Sequence, residues 1–207
     1  MPKVGMEPIR RRQMIDATMV CIEEDGIGKA SMQRIARKAG VTSGLIVHYF
    51  DDKEGLLEAV YLDLFFRVRE ETLKRLKFAQ TPYERVFAIT EAQVCDEMME
   101  PRMIKSSFAI CSKLAESESL TRIERINAGR FLSNLTHALR QIGLPREEAG
   151  QIAQEIRAMT YGVWLTFANA VEMSAEKARS TLIGYLNNRM DGVMQRASGS
   201  VRKAKAG

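Results

Sequence analysis

An all-α protein is what the 207-residue sequence predicts, and three observations carry that expectation. Its five prolines, at 2, 8, 82, 101 and 145, leave long stretches uninterrupted. Within those stretches apolar residues recur at i, i+3, i+4 and i+7, the period of a helix with one buried face. No run alternates apolar and polar residues for long enough to make a strand, and no internal repeat is present.

The elements follow in order. Ile15, Thr18, Met19 and Ile22 share one side of the first helix, Arg12, Asp16, Glu23 and Glu24 occupy others, and Gly26 stops it. Ser31 caps a short helix whose Ile35, Ala36 and Ala39 face inward; Gly40 breaks it and Val41 plugs the turn. Thr42 or Ser43 caps a second short helix, returned to the core by Ile46 and Phe50. A long helix from Asp52 to about Lys77 aligns Leu56, Val60, Leu64, Val68 and Leu76, and Asp51 with Glu54 is read as its capping box. Thr81-Pro82-Tyr83-Glu84 supplies an N-cap hydroxyl, a proline at the first helical position and a carboxylate reaching back. Further helices are expected from Arg102 to Glu116, Leu120 to Ile142, Arg146 to Val171 and Ala175 to Met194. Gly143-Leu144-Pro145 separates the middle pair, and Ser174 caps the last. Residues 196–207, rich in Ala, Ser, Gly and basic side chains, read as a flexible basic tail.

Apolar residues at 45% and charged residues at 28% match an ordinary globular chain, long enough to bury a core without disulfides or metals. The uncharged stretch Ala158–Val171 has 14 residues against the ~20 of a membrane span, so it reads as a buried helix. The N-terminal MPKVGMEPIRRRQ lacks the apolar segment of a secretory signal, so a cytoplasmic protein without membrane contact is expected. Cys21, Cys95 and Cys111 form no CxxC pair, which fits a reducing compartment. Two histidines 89 positions apart, His48 and His137, are too few for a structural zinc site. No metal or cofactor is expected. The net charge of +5 suggests an anionic partner.

Residues 31–50, SMQRIARKAGVTSGLIVHYF, carry the chemistry. Two short capped helices about a glycine turn make a helix-turn-helix, and its second helix is a candidate reader of the DNA major groove. The spacing of Ile35, Ala36, Gly40, Val41, Thr42, Gly44, Ile46, Phe50, Lys53 and Leu56 resembles the DNA-binding domain of TetR-family repressors. Met1-Pro2-Lys3, Gly5-Met6, Ile9 through Gln13, Ile15 through Thr18, His48-Tyr49-Phe50 and Leu132-Ser133-Asn134-Leu135 resemble the family's choline-responsive branch, which governs glycine betaine synthesis. The family likeness is strong over residues 1 to about 60, and the branch likeness extends weakly to about 190.

The resemblance implies an N-terminal three-helix DNA-binding domain over 1–55 and a C-terminal helical ligand-binding and dimerisation domain over 56–195. It also implies roles. Thr42, Ser43 and Gly44 open the recognition helix, where hydroxyls and free N–H groups reach base edges or phosphate. His48 donates to a base or phosphate and Tyr49 to phosphate, although Tyr49 reads equally well as core. Lys53 meets a backbone phosphate, and Gln33 and Arg34 clamp the flanking strand. Val47 stands where many relatives place a phosphate-contacting tyrosine, and it can touch a thymine methyl instead. Arg10, Arg11 and Arg12 read as a solvated face or as a minor-groove arm. Nine basic against eight acidic residues over 1–55 leave a net of only +1, so local patterning must make the footprint.

For the second domain the expected dimer interface comprises Ile156, Met159, Val163 and Phe167 on one helix with Leu182, Ile183, Leu186 and Met190 on the next. Val193 continues that line. The candidate effector pocket comprises Phe87, Gln93, Phe108, Cys111, Ser112, Phe131, Asn134, Tyr161 and Trp164. Choline would be recognised by aromatic faces and a carboxylate. Val94, Ser107 and Cys111 stand where the choline-responsive proteins look more aromatic, so a different effector in an unrelated pathway is the alternative. Asp96, Glu97 and Glu100 could be imagined as catalytic carboxylates, but no nucleophile–base pair accompanies them and a solvated acidic face is the simpler account. The expected function is a homodimeric repressor, not an enzyme, held at a pseudo-palindromic operator and released or retuned by a small molecule.

Overall fold

The computed structural model describes residues 6–169 and 173–204, with side chains described as far as 195. Among them the backbone forms nine α-helices and two 3-10 turns and no strand, as the hydrophobic period requires. The helices are α1 Met6–Asp25, α2 Met32–Ala39, α3 Ser43–Phe50, α4 Lys53–Leu76, α5 Pro82–Glu91, α6 Pro101–Cys111, α7 Glu118–Gln141, α8 Arg146–Asn169 and α9 Ala175–Ala204. None of the described helices is long and apolar enough to cross a membrane. The chain divides into two compact units, Met1–Val68 with Glu97–Ala128, and Arg69–Asp96 with Gly129–Gly207.

In the first unit α1 packs on α2 and α6. Met14, Ile15, Met19 and Ile22 of α1, Ile35 of α2, Ile46 and Phe50 of α3, and Leu56, Val60 and Leu64 of α4 are buried. Each such side chain contributes ~1.5–3 kcal/mol by leaving water, enough to hold two eight-residue helices that would not persist alone. The start of α4 differs from expectation by one position. Asp52, not Asp51, is the cap, its Oδ1 accepting the Gly55 N–H at 2.8 Å. Glu54 therefore does not complete a capping box; its Oε1 accepts from the Ser117 hydroxyl at 2.6 Å. The sixth helix also stops early, at Cys111. Ser112 donates its hydroxyl back to the Ala109 carbonyl at 2.7 Å, and the Lys113 N–H bonds Ile110, tightening the chain towards the separate 3-10 turn Leu114–Glu116.

In the second unit Val86 and Ile89 of α5, Leu135 and Leu139 of α7, Ile152 and Ile156 of α8, and Leu186, Met190 and Val193 of α9 form one core. The Thr81–Glu84 capping box before α5 is present as read. The stripe assigned to a dimer interface is divided by this packing. Ile156, Val163, Leu182, Leu186 and Met190 are buried inside the subunit. Met159, Phe167 and Ile183 remain half-buried, and Leu165 is half exposed. A helical apolar stripe packs against the nearest helix of its own chain first, and α8 lies on α9. The last helix runs to Ala204, beyond the Met194 expected, while the side chains of the 196–207 tail lie outside the described residues.

Arg189 of α9 donates to Glu155 of α8 at 2.7 Å, and the Tyr185 hydroxyl donates to the same carboxylate at 3.2 Å. The Arg189 hydrogen bond, ahead of the opposing burial, holds the Glu155 carboxyl below the usual range. A carboxylate depressed in the folded state contributes stability above its unfolded pKa and loses it as pH falls through the folded value. Glu155→Gln is expected to cost about 1 kcal/mol at pH 7, lowering Tm by roughly 2–4 °C. The gap from the parent protein should narrow as pH falls through the depressed folded-state pKa of Glu155, below which both carry a neutral side chain. Thermal melts at pH 7, 5 and 3 check this; a gap that widens in acid contradicts it.

Candidate nucleic-acid interface and effector site

The helix-turn-helix is built from local bonds. Ser31 Oγ accepts the Arg34 N–H at 3.3 Å and Thr42 Oγ1 accepts the Leu45 N–H at 3.2 Å, so both short helices are capped. Gly40 turns the chain at φ +67°, a left-handed conformation that costs a side-chain-bearing residue ~1 kcal/mol or more. The Val41 N–H then closes on the Ala36 carbonyl at 2.9 Å. With Ile46 and Phe50 buried, Thr42, Gly44, Val47 and His48 are exposed, and Ser43 and Tyr49 are half-buried. Ser43 with Val47, and Gly44 with His48, stand four apart and so share the outward face of α3.

Three features brace that helix. The Arg11 guanidinium lies 4.5 Å from the centre of the Phe50 ring and donates to the Tyr49 carbonyl at 3.2 Å. Arg11 thus supports the carbonyl end of α3, where a cation is favourable, and is not a free minor-groove arm. Asp51, at φ +65°, makes a γ-turn in which the Asp52 N–H bonds the Phe50 carbonyl at 2.8 Å. Beyond it Gly55 is required by space, since a Cβ there would stand 2.2 Å from the Phe50 carbonyl oxygen.

The flanking cations are already engaged. Arg34 pairs with Asp25, and with Glu24 at 3.6 Å, while Lys38 donates to Glu24 at 2.7 Å and holds that carboxyl below its usual range. Lys53 donates to the Ile27 carbonyl at 2.9 Å, tying the loop after α1 to the start of α4. An ammonium carries three protons, so two remain for a phosphate. Gln33 is exposed beside Arg34.

The effector candidates fall in both units. Phe108, Cys111 and Ser112 belong to the first. Cys111 Sγ lies 3.0 Å from the hydroxyl of buried Tyr61, which donates to Glu124 at 2.8 Å, and Ser112 is exposed. Burial, then Cys111 and Glu124, push the Tyr61 hydroxyl far above its ordinary pKa and keep it a neutral donor. The second unit holds the rest. Trp164 is buried and donates Nε1–H to the Gln93 carbonyl at 2.9 Å, with the Tyr161 ring 5.7 Å from its own. The Arg157 guanidinium sits 5.2 Å from the Tyr161 ring centre. Phe131 packs against the core, Asn134 is exposed, and Phe87 lies 5.0 Å from the Tyr83 ring beside a groove of about 400 Å³.

A family model described as bacterial regulatory proteins, tetR family, matches residues 14–60, and one described as BetI-type transcriptional repressor, C-terminal, matches residues 82–190. The chain belongs to the BetI-type branch of the TetR family. The HTH-type transcriptional regulator BetI of Cronobacter sakazakii is 37% identical over 93% of this chain and 96% of its own length. That of Vibrio vulnificus is 38% identical over 92% of this chain and 97% of its own. A solved structure from Pseudomonas aeruginosa PAO1 matches with TM-score 0.74 at 25% identity, covering 91% of this chain and 94% of that one.

In this BetI-type regulator the carboxylates considered for catalysis are spent on structure. Asp96 pairs with Arg179, Glu97 with Arg67 at 2.6 Å, and Glu100 with Arg102 at 2.6 Å. Arg67 was not singled out by sequence. Buried on α4, it donates to Asp63 at 2.7 Å, Glu97 at 2.6 Å and Asp16 of α1 at 2.9 Å. The Asp63–Arg67 spacing of four is a signal in the sequence; the partners at 16 and 97 are not.

Proposed function

We propose that the protein is a homodimeric repressor that lays α3 of each subunit in the major groove of a pseudo-palindromic operator. Half-sites then lie one turn, ~34–36 Å, or a multiple apart. The observation that carries this reading is the outward face of Ser43, Gly44, Val47 and His48 on a helix capped, braced and buried on its other side. A small molecule bound by the C-terminal half acts through its differential affinity for the operator-binding and released states. Choline, with control of glycine betaine synthesis, is the effector favoured by the branch to which the C-terminal half belongs.

A second reading, with another effector, is favoured by one feature of the aromatic cluster. Tyr161 already carries the chain's own cation, Arg157, and so does not offer a free ring face to a quaternary ammonium. Fluorescence anisotropy of the protein on its own upstream intergenic DNA, with choline titrated at fixed salt, separates the two. Release by choline supports the betaine reading, whereas binding that choline leaves untouched directs the search to another ligand. Sequence-blind binding would overturn the operator itself.

The same assay tests Lys53. Lys53→Ala is expected to weaken binding alike on all sequences and flatten the salt slope by about one unit. An unchanged slope with a lowered Tm would leave Lys53 only its bond to Ile27.

A further inference from the structure

The second unit carries a groove of about 580 Å³ between α7 and the start of α8 that no step of repression uses. Ser133, Thr136, His137 and Arg140 line it from α7, and Arg146 and Gly150 from α8. Positions 133, 136, 137 and 140 follow one helical face, so they line the same wall of the groove. No carboxylate lines the groove. Among the described residues none of the Ser133, Thr136, His137, Arg140 and Arg146 side chains has a hydrogen-bond or ion-pair partner.

Gly150 lines the groove from α8. It sits inside a helix, where glycine is costly relative to alanine. A Cβ there would meet nothing within 4 Å, so no neighbour demands its absence. The missing side chain leaves open the space between the two guanidinium-bearing helices.

We propose that this groove binds a small organic phosphate carrying two phosphate groups. Two guanidiniums supply forked donors matched to phosphate oxygens, and the imidazole and two hydroxyls add donors between them. The volume exceeds what one inorganic phosphate fills and lies within the range of metabolite pockets. No aromatic ring besides His137 lines the groove to stack a base, so the body of the ligand is polar and non-aromatic.

The test is isothermal titration of the full chain with fructose 1,6-bisphosphate and, separately, inorganic pyrophosphate, in 150 mM salt. Its readout does not involve DNA, so it stands or falls apart from the operator reading. Saturable binding of the bisphosphate is expected, weakened at least 10-fold by Arg140→Gln/Arg146→Gln and abolished by Gly150→Glu. Gly150→Ala, which adds only a methyl group to open space, should retain it, and all variants should melt as the parent does. Absence of bisphosphate binding, equal affinity in parent and variants, or binding of pyrophosphate alone would each overturn the proposal. So would a loss of DNA affinity in the double variant without any phosphate binding, which would make the groove a nucleic-acid contact.

Discussion

Val47→Asp is expected to lower operator affinity at least 100-fold while leaving the fold intact. Val47 is 47% exposed in the middle of α3, on the same face as Ser43, so its replacement opens no cavity. Within an eight-residue helix the change in propensity costs only a few tenths of a kcal/mol. At a docked groove the substitution acts twice. It removes an apolar contact to a base edge, of the kind that contributes ~1–3 kcal/mol of discrimination, and it brings a carboxylate among phosphates. The surroundings offer little relief, because Arg34 and Lys38 are already paired with Glu24 and Asp25. Val47→Ala is the graded control, expected to cost about 10-fold or less and to relax preference for thymine at one position. Anisotropy at fixed salt reads the affinities and circular dichroism the helix content. Unchanged binding by Val47→Asp would remove α3 from the groove.

What could be read before the structure was what local chemistry decides. Ser31, Gly40 and Thr42 act within three or four residues of themselves, so cap, turn and cap were legible in order. Asp51 and Asp52 show the limit of that reading. Both are acidic and both precede the helix, and only the backbone angle distinguishes the γ-turn residue from the cap. The stripe through Ile156, Leu186 and Met190 was ambiguous for a different reason. Burial against the same chain and burial against a second copy require the same period, and contact with the core takes the residues first. Effector candidates were the least legible, since Cys111 bonds Tyr61, fifty positions away, and Trp164 bonds Gln93, seventy-one away. Such partners are set by tertiary packing, which no pattern along α6 or α8 encodes.

Removing Arg67 is the change expected to harm the first unit most. Its side chain is 8% exposed, and the guanidinium gives one donor group to each of Asp63, Glu97 and Asp16, joining α1, α4 and the segment before α6. Its pKa is raised despite the opposing effect of burial, because these carboxylates, Asp63 foremost, favour the cation. Arg67→Met leaves Asp63, itself 13% exposed, with Arg12 at 3.0 Å as its remaining cation. Breaking a buried pair by removing one partner costs ~3–5 kcal/mol, and the more exposed Asp16 and Glu97 recover part of that by rehydrating. A loss of roughly 2–4 kcal/mol follows, or about 5–12 °C in Tm. If the cost is the stranded carboxylate, Asp63→Asn in the Arg67→Met background should recover stability, while Asp63→Asn alone should not gain any. A double-mutant cycle read by thermal melts measures that coupling. Additive losses would mean that Arg67 stabilises α4 by packing its stem and that its ionic bond to Asp63 adds nothing.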